Sequence, residues 1–177
     1  MIHVNVAKPC KSKLGFMDDK PTIRNAIFQS APLKPTSARR AYALVRLFNP
    51  QMDLPDWLTY ARSFARHSAR SAGLHALEDE RGYIHAVFAY NVRHHLRHRR
   101  LLRVTDVVIG HLPGRTLAEA LLGSVADIAQ ESACDSVMVE LGEASLARDA
   151  LRQAGFAQTE MECFLADRAL KLAALPA

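Results

Sequence analysis

The chain has 177 residues, 49% of them hydrophobic and 23% charged, with a formal net charge of +5 and a sequence pI near 9.4. That length supports one domain with its own core and leaves little room for a second. The three cysteines, Cys10, Cys134 and Cys163, show neither metal-ligand spacing nor disulfide density. This argues against a zinc module or a disulfide-stapled secreted domain and for a reducing, cytoplasmic setting. Residues 1–16 lack an apolar run long enough for a signal peptide or a membrane span, so no membrane partner is expected. The basic balance suits anionic partners without choosing among small molecules, nucleic acid and surfaces.

Residues 1–37, with Pro9, Pro21, Pro32 and Pro35, show no sustained periodicity and read as an irregular or disordered N-terminal arm before a domain at 38–177. Such an arm could pack on a partner subunit, which leaves a homodimer open. The apolar run 40–48, stopped by Asn49 and Pro50, predicts a first strand. Asp53 then offers an N-cap, Pro55 sits in the first turn, and Trp57, Tyr60, Ala61, Phe64, Ala65 and Ser68 recur at helical spacing. That predicts an amphipathic helix to about residue 72, capped by Gly73. Segments 74–78 and 83–90 around Gly82 predict a hairpin.

A basic, His-rich segment at 93–103 reads as a solvated connection into a strand at 102–109. A helix at 116–132 follows, with Leu117, Ala120, Leu121, Val125, Ile128 and Ala129 on one face. A strand at 136–141, a helix at 144–154 capped by Gly155 and a final strand or hairpin at 157–165 complete the order β, α, β, β, β, α, β, α, β. An antiparallel meander that switches to βαβ predicts an α/β fold on a mixed central sheet. Such sheets place ligands where strands splay or change sense, here beside residues 106–109.

Two segments make that cleft specific. The run Val104-Thr105-Asp106-Val107-Val108-Ile109-Gly110-His111-Leu112-Pro113-Gly114-Arg115-Thr116-Leu117 takes a strand through a glycine turn into a helix. Free amides at a helix start, approached closely because glycine has no Cβ, can hold a pyrophosphate. Later, Ala150-Leu151-Arg152-Gln153-Ala154-Gly155-Phe156 closes a second strand-then-helix unit.

Together the two units resemble the GNAT acyltransferase family over roughly residues 40–167. The match to the family's pyrophosphate loop is His111-x-x-Gly114-x-Thr116, with one of its glycines retained and a loop about two residues shorter than usual. The resemblance implies acetyl-CoA as co-substrate, with its pantetheine arm paired on the main chain of Val107, Val108 and Ile109. His111, Gly114, Arg115 and Thr116 would hold the diphosphate. It implies N-acyl transfer to a primary amine without a metal. The late segment is similar to the family's Phe-Tyr-x-x-x-Gly-Phe, in which the tyrosine commonly protonates the departing thiolate. Leu151 stands in the tyrosine's place and Ala144 in that of a frequent asparagine. Those departures keep a catalytically degenerate CoA-binding or regulatory module as the alternative.

Asp106 lies in an apolar strand, where a carboxylate must find donors or bear a heavy desolvation cost. It suits either a general base for an ammonium or a structural acceptor for neighbouring amides. Glu143 and Ser145 fall where the family's cleft opens, and Ser145 also suits a helix cap. The resemblance leaves the acceptor open among a small amine, an amino sugar, an antibiotic and a protein amine. A third alternative, nucleic-acid binding through Arg93, Arg97, Arg99, Arg100 and Arg103, is disfavoured because no aromatic residue interleaves the cluster for base stacking.

Overall fold

The structure, a computed structural model, describes residues 27–110, 116–141, 148, 152, 157–158 and 163–167. Its strands are β1 (Phe28–Pro32), β2 (Ala72–Asp79), β3 (Ile84–His95), β4 (Arg99–Ile109), β5 (Ser136–Glu140), β6 (Ala157–Gln158) and β7 (Cys163–Asp167). Its helices are α1 (Ala38–Phe48), α2 (Leu54–Phe64) and α3 (Thr116–Glu131). The seven strands form one sheet in the order β1-β2-β3-β4-β5-β7-β6. Neighbours are antiparallel except for the parallel β4–β5 pair. That is the α/β mixed sheet expected from the alternation of meander and crossover.

Several boundaries differ, each for a physical reason. Residues 40–48, expected as a strand, lie in α1. Its buried residues Ala38, Ala41 and Val45 recur at helical steps, and alanine and arginine favour helix, so the period outweighs the apolar run. Phe28–Pro32, counted with the arm, form β1, which pairs with β2 from Phe28↔Asp79 to Pro32↔His75. Edge position tolerates its proline. Helix α2 stops at Phe64, and Gly73 lies within β2 instead of capping the helix. A Cβ at Gly73 would come within 2.6 Å of the Tyr90 hydroxyl, so the glycine is there to let that ring lie flat on the strand. The basic segment 93–103 is no loose connection but the end of β3 and the start of β4.

Alternation along the strands divides the core between two layers. Leu74, Ala76, Val87 and Ala89 pack with Val45, Trp57 and Ala61 of α1 and α2. Leu77, Phe88, Tyr90, Leu102, Val104 and Ile109 pack with Leu117, Leu121 and Val125 of α3. Helix α2 starts as its sequence predicts, with the Asp53 side chain accepting from the Asp56 amide at 2.8 Å and Pro55 in the first turn. Buried Trp57 donates its indole N–H to the Ala38 carbonyl at 2.7 Å, fixing α2 against α1. The helix expected at 144–154 lies outside the described residues apart from Arg148 and Arg152, both helical.

Candidate active site

The site forms because β4 keeps one partner strand and loses the other partway along its length. Parallel pairing with β5 runs from Leu101↔Ser136 to Val104↔Val139 and ends there. Pairing with β3 continues to Ala86↔Ile109, but the register shifts between Ala89↔Thr105 and Val87↔Val108. Phe88 therefore faces two residues, Asp106 and Val107, and β4 carries a bulge. Asp106 holds the left-handed backbone that this requires, with φ 52°. Aspartate tolerates that conformation because its short polar side chain bonds locally. A bulge bends and twists its strand. Past it, among the described residues, β4 is hydrogen-bonded on the β3 side alone.

Which main-chain groups face the gap follows from the strand end. The Gly110 amide turns back to the His85 carbonyl at 2.7 Å. By the alternation of a pleated strand, the adjacent Ile109 amide and carbonyl face the opposite side, where β5 has left off. Gly110 eases this approach, since a Cβ there would stand 3.1 Å from the His85 oxygen. The Ile109 side chain is buried under α3, Val107 packs against the same core, and Val108 is half-buried opposite Val87. A linear amide-bearing ligand could add to this edge as a further strand.

The bulge also sets a carboxylate, that of Asp106. Asp106 is exposed, and its Oδ2 accepts from the Tyr60 hydroxyl at 2.9 Å and from Thr105 Oγ1 at 2.9 Å. Its Oδ1 has no partner among the described residues. Hydroxyls, not the backbone amides expected of a structural acceptor, thus hold this group. Tyr60 is itself fixed by α2, stacked on Trp57 at 5.8 Å and edge-on to Phe64 at 5.2 Å. Burial, then the charge of Asp106 and the hydrogen bond to it, push the Tyr60 phenol well above its ordinary value. It therefore stays protonated and donates to the carboxylate.

Where β4 and β5 part, Arg103 and Glu140 form an ion pair through Nε and Oε1, each side chain about a third exposed. Thr116 opens α3, whose Leu117 and Ala118 are buried beneath it. His111, Gly114, Arg115, Glu143 and Ser145 lie outside the described residues, as does Leu151. Cys134 is buried and donates to the Ser132 carbonyl. No group of three or more His, Cys, Asp or Glu side chains among the described residues could hold a metal ion. No described helix is long and apolar enough to cross a membrane. Tyr60 is the residue that sequence reasoning left as an ordinary member of a helix face. Its signal is present, since among the aromatic residues Trp57, Tyr60 and Phe64 of that face it alone carries a hydroxyl.

No protein-family model and no curated protein matches the chain. Solved structures do. Glucosamine-6-phosphate N-acetyltransferase from Arabidopsis thaliana superposes with a TM-score of 0.62 at 14% identity, over 76% of this chain and 94% of that one. An acetyltransferase of Trypanosoma brucei gives 0.60 at 17% identity, over 75% and 94% of the two chains. AAC(6')-Iy, solved with the bisubstrate analog CoA-S-monomethyl-acetylneamine, gives 0.61 at 13% identity, over 75% and 92%. With its bulged fourth strand and parting β4–β5 pair, the chain has the fold of the GNAT acetyltransferases.

Proposed function

We propose that the chain is an N-acyltransferase that moves an acetyl group from acetyl-CoA to a primary amine by direct attack. The observation that carries this reading is the bulged end of β4, where a carboxylate with a free oxygen at Asp106 lies three residues from the outward-facing main chain of Ile109, past the end of β5 pairing. The open edge fits the linear, amide-bearing arm of coenzyme A, with Val107, Val108 and Ile109 holding it. His111, Gly114, Arg115 and Thr116 would hold the diphosphate at the start of α3. The thioester supplies the driving force when bound.

The chain's own residues would handle the proton. An incoming amine arrives as an ammonium ion, and Asp106 Oδ1 accepts one proton from it, directly or through water. Tyr60 and Thr105 keep Oδ2 occupied, so the carboxylate presents one fixed oxygen. The freed nitrogen pair attacks the thioester carbonyl, whose oxygen is polarised by a main-chain amide of residues 107–109. The C–N bond forms, the C–S bond breaks, and the thiolate takes its proton from water, because Leu151 has none to give. Glu143 and Ser145 are second candidates for the acceptor side of the cleft.

Thermal denaturation with acetyl-CoA tests binding, since a ligand held by the folded form alone raises the midpoint. Thiol release across a panel of amines then tests transfer. A raised midpoint with thiol release by at least one amine is the expected result. A raised midpoint without thiol release would favour the degenerate CoA-binding module, the reading that Leu151 and Ala144 support. An unmoved midpoint would overturn both.

A further inference from the structure

The far end of the β3–β4 ribbon carries a feature that acyl transfer does not use. Pairing of β2 with β3 ends at Ala72↔Asn91, and pairing of β5 with β4 begins at Leu101↔Ser136. Between these limits the hairpin projects past its neighbours. Its residues 93–99 read Arg-His-His-Leu-Arg-His-Arg, so six of seven are basic types. All but His98 are exposed, and Leu96 at the apex is fully so, at 107%.

The histidines shape the turn. His95 Nδ1 accepts from the amides of Arg97 and His98, both at 3.2 Å, and the His95 and His98 rings lie 4.9 Å apart. Arg99 closes the turn with a positive φ of 52°. This leaves three guanidinium groups on the outside. Arg93 is opposite Leu101 and Arg99 opposite His95, so Arg93 and Arg99 are diagonal neighbours on one face. Arg93, Arg97 and Arg99 have no acidic partner among the described residues. They are also remote from the transfer site: Arg99 stands seven residues from Asp106, roughly 20 Å along a strand.

We propose that this hairpin docks on the sugar–phosphate backbone of a double-stranded nucleic acid through Arg93, Arg97 and Arg99, without reading bases. Planar guanidinium forks match phosphate oxygens in pairs. A two-stranded ribbon is narrow enough for a major groove. The absence of aromatic residues from 93–99, which disfavours nucleic-acid binding by base stacking, counts against single strands and leaves contacts to a duplex backbone untouched. One apolar side chain at the apex is too little for a bilayer, which needs a broad apolar face beside its charge. The inference is independent of the proposed acyl transfer.

Fluorescence anisotropy of the full chain with a labelled DNA duplex at increasing salt tests it. Three neutralised phosphates predict that log K falls with log salt at a slope of about −3. Replacing Arg93, Arg97 and Arg99 together by alanine is expected to cost at least tenfold in low-salt affinity and to flatten the slope. Replacing the exposed Arg39, Arg46 and Arg66 removes the same charge elsewhere and is expected to leave both nearly unchanged, with circular dichroism confirming that each variant folds. Equal losses in the two triple variants would overturn the proposal in favour of bulk charge. Tighter binding to phosphatidylserine vesicles, or equal competition by polyglutamate, would overturn it in favour of a membrane or an acidic protein surface.

Discussion

The two ends of β4 make opposite uses of one strand. At the Ile109 end the strand outruns β5, and what it leaves unpaired among the described residues is main chain, near the Asp106 carboxylate. At the Arg99 end the backbone is paired with β3, and what it leaves unpaired is side-chain charge. A neutral, amide-bearing arm can bond to the first but gains little from the second. A polyphosphate backbone gains from the second and is repelled by a carboxylate at the first. The ligand class of each end therefore follows from which groups the fold leaves without partners, more than from the net charge of the chain.

The largest expected effect lies at the bulge. Replacing Asp106 by asparagine keeps the shape and removes the base, so turnover should fall by roughly 100-fold or more while the acetyl-CoA thermal shift persists. Unchanged turnover would divorce the carboxylate from the chemistry. Next in size is the frame between the two ends. Tyr90 pairs with Val104, the last β4 residue bonded to β5, and its hydroxyl donates to the Ala69 carbonyl at 2.7 Å. Gly73→Ala would drive a methyl into that ring and should cost about 2 to 3 kcal/mol in urea unfolding.

Acid should loosen the same frame. His75 packs against Phe88, which faces the bulge, and against Tyr90, with Ser30 Oγ 3.2 Å from its Nδ1. Burial lowers its pKa from 6.5 to about 4. The unfolded chain then binds the proton more readily, so the stabilisation is complete above pH 6.5 and is lost as pH falls toward 4. The loss should be about 2 kcal/mol, discounted from the full shift for partial exposure. Unfolding curves of His75→Phe should lack this dependence. The smallest effect is expected of Tyr60→Phe, which removes one of two donors to Asp106 Oδ2. A loss of about tenfold in kcat with KM for acetyl-CoA unchanged is the expected outcome.

The architecture was largely legible because alternation and turn chemistry agree from β2 to β5. Asp53, Pro55 and Gly82 marked their turns, and the apolar face of α3 was plain. The failures have identifiable causes. Residues 40–48 looked like a strand because a nine-residue, mostly apolar run has strand length, while the helical spacing of Ala38, Ala41 and Val45 shows only when Ala38, before the run, is counted with it. Gly73 looked like a cap because no local signal reveals a ring arriving from Tyr90, seventeen residues on. Asp106 was visible as an anomaly in an apolar strand, but the bulge that explains it depends on the register against Phe88. Tyr60 stayed hidden because its partner is forty-six residues away in sequence.

Amide chemical shifts followed by nuclear magnetic resonance during an acetyl-CoA titration test the central claim most directly, because both ends of β4 report in one experiment. The account predicts saturable shifts at residues 105–110 and at Thr116, with residues 93–99 unmoved. No saturable change at 105–110, or changes confined to 93–99, would contradict it.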